Sequence, residues 1–183
     1  MASDQNQTGS VSGPDRGVIQ WAARVPELIW SPVVALILIA LAGCLGLLFD
    51  KPWLFASLGP SAYLIAHSPS ERSALPYNMI VGHMIGVCAG LGAVTLLGSA
   101  QTPSVFITHH LTAQQVLSSA LALGLAIPME LLAKASHPPA AATVLLMTLG
   151  GFPASLHSVL DIMAGVLIIA TAGEVFRDLR LVK

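Results

Sequence analysis

Ser136-His137-Pro138-Pro139-Ala140-Ala141-Ala142-Thr143 opens a 15-residue apolar segment, 138–152, with two consecutive prolines. Proline has no N–H to donate and its ring clashes with the preceding turn, so a helix starts at such a pair but does not run through it. A similar break stands 79 residues earlier, where Ser57-Leu58-Gly59-Pro60-Ser61-Ala62 interrupts another 15-residue apolar segment, 53–67. A 15-residue helix is about 22 Å long, shorter than the ~30 Å of a bilayer's hydrocarbon core. Around the breaks lie four longer apolar segments, 29–49, 77–98, 113–133 and 156–176, of 21 or 22 residues each. That is the length a membrane-crossing helix needs.

The composition points the same way. Apolar residues make up 55% of the 183 and charged residues 9%, against about a quarter charged in a soluble domain. A soluble globular enzyme is excluded. Eight Lys+Arg against nine Asp+Glu give a net charge of −1 and no basic patch for nucleic acid. Cys44 and Cys88 sit in apolar runs and read as small apolar residues, not as a disulfide or metal motif. No nucleophile elbow, phosphate loop or paired-carboxylate spacing appears, so neither an enzyme nor a cofactor is expected. His109-His110 lacks a third ligand for a metal.

The fold class expected is all-α: a polytopic membrane helix bundle of six segments, four long and two short. Residues 1–26 are polar and read as a mobile tail without a cleaved signal peptide, ending in an interfacial piece from Trp21 to Trp30. Residues 27–183 read as one transmembrane domain. The 79-residue offset also lays Met84-Ile85-Gly86-Val87 over Met163-Ala164-Gly165-Val166. Two pseudo-repeats of helix, short broken helix and helix are expected, at about 29–98 and 113–177.

If the short segments cross the membrane, the cationic residues divide seven to one, with Arg16, Arg24, Arg72, Lys134, Arg177, Arg180 and Lys183 inside and Lys51 outside. If the short segments dip and return, the division is five to three. The positive-inside rule favours six crossings with both termini cytoplasmic, in a bacterial inner membrane. The halves are then inverted relative to each other, as in many transporters.

In such proteins, paired Gly/Pro-broken segments mark the substrate site. A helix that starts inside the membrane presents unpaired N–H groups and a positive dipole end to an anion. The candidate substrate-binding residues are therefore Ser57, Gly59, Pro60, Ser61, Ser136, His137, Pro138, Pro139 and Thr143. Ser136 is the expected N-cap, and Gly59 the point of close backbone approach. The competing account is a pair of Pro kinks satisfied by neighbouring helices. Asn78, His83 and Asp161 are candidates for a supporting role. His83 and Asp161 lie deep enough that facing lipid would be costly, though a structural hydrogen bond explains either one equally well. Glu130 and Lys134, spaced i, i+4, read as a surface pair, His67 as a loop histidine, and Gly86 with Gly90 as a helix-packing face.

The motif at 136–143 resembles the signature of the HPP family of integral membrane proteins. So do Ser57 to Ala62, His67-Ser68-Pro69, and the run Pro76-Tyr77-Asn78 leading to Gly82-His83. Val81 and Ala141 stand where that family usually has glycine. The resemblance covers roughly residues 30–176. It implies a membrane transporter or channel-like protein for a small anion. Nitrite is the first candidate, because chloroplast and cyanobacterial members are implicated in nitrite transport. The partners expected are the lipid bilayer and the anion, with a homo-oligomer left open. Two other readings stand beside it: a membrane sensor or interaction module without transport, and a proton-linked carrier of a neutral or organic solute with Asp161 as its proton site.

Overall fold

The computed structural model describes residues 21–181 apart from Ala23; most of the 1–26 tail, with Arg16, and Lys183 at the other end lie outside the described residues. Seven α-helices are found among the described residues: α1 (Glu27–Phe49), α2 (Leu58–His67), α3 (Pro76–Leu96), α4 (Val105–Thr108), α5 (Ala113–Leu132), α6 (Ala140–Thr148) and α7 (Leu156–Leu181), with a 3-10 turn at Arg72–Ala74. There is no strand among them. The helices α1, α3, α5 and α7 are long and apolar enough to cross a membrane. Their exposed faces carry large apolar side chains such as Leu36, Leu47, Leu117, Leu132 and Leu160. That is the surface a bundle presents to lipid, where only helices with internally satisfied backbones are tolerated.

Local chemistry sets the helix ends. Pro76 occupies the first turn of α3 after an extended Leu75, where a missing N–H costs nothing. Thr112 and Gln115 close a capping box at the start of α5. Asp50 ends α1 in the left-handed conformation. Two expectations need correction. The last helix runs to Leu181, five residues past the apolar segment, and includes Arg177 and Arg180. The short segments are helical for only ten and nine residues, since 51–55 has no regular structure and Pro138-Pro139 forms a turn. Trp30 is also not an interfacial residue of a separate piece. It is buried in the first turn of α1, edge-on to Phe176 at 6.4 Å.

Side-chain contacts give the helix directions. The Ser31 hydroxyl donates to the Ala66 carbonyl (3.2 Å), and His67 Nδ1 lies 3.5 Å from Glu27 Oε1. So α2 ends beside the start of α1, and His67 closes that helix rather than sitting in a loop. Tyr77 OH donates to the Ala133 carbonyl (3.0 Å), placing the start of α3 at the end of α5. Arg180 at the end of α7 bonds the Ala22 and Val25 carbonyls (2.7 and 2.9 Å) and Glu27 Oε2 (2.8 Å). Hence α1, α3 and α6 run one way, and α2, α5 and α7 the other.

Glycines bring these helices together. A Cβ on Gly82 would lie 2.8 Å from His137 Cβ, on Gly86 2.9 Å from the Ala140 carbonyl, and on Gly90 2.7 Å from Met147 Cβ. The whole α3–α6 interface is thus built on absent side chains. Gly165 of α7 does the same against Phe55 and the Trp53 carbonyl, and Gly173 against Ile65. A methyl at position 86 meets backbone that cannot move aside, so Gly86→Ala should cost about 1–3 kcal/mol. Gly92, with nothing within 4 Å of an added Cβ, should lose no stability on the same change. Denaturant unfolding of both variants in detergent checks this.

Candidate functional site

The two breaks meet. Ser57 Oγ lies 2.7 Å from Thr143 Oγ1, and Ser61 Oγ lies 3.0 Å from His137 Nε2. These pairs run in opposite order along the chain, so the first turns of α2 and α6 pass side by side and antiparallel. α3 adds His83, whose Nδ1 is 2.7 Å from Thr143 Oγ1 and whose Nε2 is 3.0 Å from Ser61 Oγ. Ser57, Ser61, His83, His137 and Thr143 all have zero solvent exposure. The two imidazole centroids are 4.9 Å apart.

The hydrogens on this cluster can be assigned from one fixed point. His137 Nδ1 is 2.7 Å from the Ser73 carbonyl. A carbonyl only accepts, so Nδ1 carries a hydrogen. In a neutral His137 ring, Nε2 then accepts, and the donor is the Ser61 hydroxyl. Ser61 Oγ in turn accepts from His83 Nε2–H, His83 Nδ1 accepts from the Thr143 hydroxyl, and Thr143 Oγ1 accepts from Ser57. Five bonds point one way, from Ser57 to the Ser73 carbonyl, and both rings are satisfied without charge.

Around His137 the sequence expectations are partly corrected. The Ala140, Ala141 and Ala142 N–H groups donate to the carbonyls of His137 (2.8 Å), Pro138 (3.1 Å) and Pro139 (3.1 Å). The turn therefore begins at His137, one residue later than a Ser136 cap requires. Ser136 is exposed and contributes its carbonyl, which accepts from Asn78 Nδ2 (3.2 Å). Glu130 is not half of a surface pair: its Oε2 accepts the His137 N–H (3.0 Å). Lys134 lies beyond the end of α5 with φ 53°, so the i, i+4 geometry never forms. Pro139 is buried and Pro138 exposed.

At the first break, Ser57, Leu58, Ser61, Ala62 and Ile65 form the buried face of α2. Gly59 and Pro60 fall on the opposite, exposed face. An added Cβ at Gly59 would meet nothing within 4 Å, so the close approach expected there is made instead by Gly82. Asp161 is half-buried and makes no hydrogen bond or ion pair with the cluster among the described residues.

Above the cluster, where α2 and α5 end and α3 and α6 begin, a cleft of about 410 Å³ is lined by Glu71, Arg72, Ser73, Asn78, Lys134 and Ser136, among others. Its floor is the Ser73 peptide, one hydrogen bond from His137. A larger hollow of about 700 Å³ lies beside the end of α1 against Asp50, Lys51 and Leu54. It is mostly apolar and remote from the histidines. Sequence reading missed Ser73, because a carbonyl ligand carries no residue signature, and Glu130, because helical spacing supplied it with a simpler partner.

Residues 20–181 match the family model described as HPP, transmembrane region, and the chain belongs to that family. No curated protein and no solved structure matches it.

Ser61→Ala would leave one ring donor and one ring acceptor buried without partners, at about 1–3 kcal/mol each. The expected loss is about 2–6 kcal/mol. Ser136→Ala should stay within about 0.5 kcal/mol of the parent. Unfolding curves in the same detergent compare the two.

Proposed function

We propose that this HPP-family membrane protein is a transporter or channel-like protein for a small anion, with nitrite the first candidate on the family resemblance. The observation that carries the reading is the junction of two half-helices, α2 and α6, at a fully buried cluster of hydroxyls and imidazoles. Such a cluster is costly in a lipid-embedded bundle and marks a solute pathway more often than a structural knot. Arg72 and Lys134, which form no ion pair among the described residues, line the cleft over His137 and would gather anions there by charge.

The proposal includes the repeat. Pairing α1 with α5, α2 with α6 and α3 with α7 carries each helix-helix packing onto another that is present: α1–α2 onto α5–α6, α2–α7 onto α6–α3, and α1–α7 onto α5–α3. The paired helices also run in opposite directions, as an inverted repeat requires. On this reading the chain crosses six times, with the cleft and both termini on the cytoplasmic side of a bacterial inner membrane. The cluster as described is closed, every ring nitrogen being bonded, so an anion enters by exchanging one of these bonds.

A second reading, a proton-linked carrier, gains from the two linked histidines. It passes the proton role from Asp161 to His83 and His137.

Two measurements test the proposal. In a background lacking Cys44 and Cys88, a single cysteine at position 104 should react with an impermeant thiol reagent applied to intact cells. One at position 72 should react only after permeabilisation. External labelling at 72 would replace six crossings by re-entrant segments. In liposomes, the purified protein should speed uptake of nitrite or another small anion over protein-free vesicles, which also control for passage of the protonated acid. A bound anion and an imidazolium favour each other, so uptake should rise as pH is lowered, and His137→Ala should flatten that slope. An unchanged slope in that variant would remove His137 from the mechanism.

A further inference from the structure

We propose that Ser57, Thr143, His83, Ser61 and His137 form a proton relay whose polarity reverses when it carries one proton. This rests on the cluster's geometry and holds whatever solute is transported. The links are 2.7 Å (Ser57–Thr143), 2.7 Å (Thr143–His83 Nδ1), 3.0 Å (His83 Nε2–Ser61) and 3.0 Å (Ser61–His137 Nε2). Every group has one hydrogen to give and one lone pair to receive, and an imidazole passes a proton by taking it on one nitrogen and releasing it from the other.

The transfer balances. An acid, hydronium or a protonated weak acid, gives a proton to Ser57 Oγ. The Ser57 hydrogen moves to Thr143 Oγ1, and the Thr143 hydrogen to His83 Nδ1. The His83 Nε2 hydrogen moves to Ser61 Oγ, and the Ser61 hydrogen to His137 Nε2. Counting the acid's own O–H, five O–H or N–H bonds break and five form, and the added charge rests on His137 as an imidazolium. His83 ends neutral, with its hydrogen on Nδ1 instead of Nε2. All four links now point towards Ser57, and the Ser57 hydroxyl is left to donate to whatever acceptor reaches it.

The charged and titratable groups around the pair are few. Glu130 of α5 accepts from the His137 backbone N–H. Glu71, Arg72 and Lys134 lie across the Ser73 peptide in the cleft. Asp161 of α7 bonds neither ring, and α2 offers only hydroxyls, its His67 being at the far end with Glu27. Thus, among the described residues, no carboxylate bonds either ring, and Ser61 links His83 to His137.

A rival arrangement is also available. The Ser61 hydroxyl can turn onto the Ser57 carbonyl, 3.2 Å away. Both rings then donate to Ser61 Oγ, and His137 takes its proton with His83 unchanged. The relay and this rival differ in the tautomer of one ring.

The test uses the full chain in lipid nanodiscs with ¹⁵N-labelled histidine. His67, His109, His110 and His157, all exposed, are replaced by Asn so that only the pair reports. Near neutral pH, the hydrogen should be on Nδ1 of His137 and on Nε2 of His83. On acidification, His137 should become doubly protonated while His83 moves its hydrogen to Nδ1 at the same midpoint. In Ser61→Ala, His83 should no longer follow His137; if that variant does not fold, the parent titration decides alone. His83 holding Nε2–H throughout, or becoming the charged ring itself, overturns the relay. The shifts are read without an anion gradient, so absence of anion uptake would defeat the transport reading and leave this result standing.

Discussion

The Ser61 hydroxyl lies 3.0 Å from a nitrogen of each of two buried imidazoles, and much of the bundle is arranged to keep it there. Inside lipid no water is on hand to satisfy a stray donor, so each polar group must find its partner in the protein. That requirement reaches outward. His83 and His137 can share one serine only if α3 and α6 nearly touch, and Gly82, Gly86 and Gly90 remove the side chains that would hold them apart. The glycine face and the polar cluster are two aspects of one constraint.

The breaks supply the rest. A continuous helix through 53–67 or 138–152 would bury its own N–H groups in its ladder and leave its first turn at the membrane surface. Starting α2 at Leu58 and α6 at Ala140 brings both first turns inside the bundle, level with each other. In soluble proteins a helix start is covered by a local cap. Here Ser57 makes no cap bond and Ser136 is exposed; the first N–H groups of α6 turn back onto the His137, Pro138 and Pro139 carbonyls, and the Glu130 carboxylate takes the His137 N–H.

Much of this was legible in the sequence, for physical reasons. Helices of 20 residues or more need long apolar runs, and prolines stop helices wherever they stand, so the four long helices and the two breaks could be read directly. Ser57, Ser61, His137, Thr143, Asn78 and His83 were legible because polar side chains are rare in apolar surroundings. What could not be read was direction around a helix axis. Gly59 and Pro60 lie in the same turn as Ser61 but are exposed where it is buried, and Asp161, nearly as far into its apolar segment as His83, is half-buried and unbonded to the cluster. Near the ends of short helices a shift of one residue changes which side chain caps and which carbonyl accepts. By spacing alone Ser136 is placed to cap and Glu130 to pair with Lys134, whereas in the folded chain the turn starts at His137 and Glu130 accepts its N–H.

The hydrogen bonds of the cluster tie the first half of the chain to the second across 60 to 86 residues. A ribosome adds about 5–20 residues per second, so by that rate roughly 4–17 s pass between the emergence of Ser57 and that of Thr143. Until then Ser61 and His83 have each other, but Ser57 Oγ and His83 Nδ1 lack the Thr143 hydroxyl that both bond in the finished bundle. Each half therefore carries polar groups that only the other half satisfies, and the buried cluster is complete only once both halves of the chain have been made.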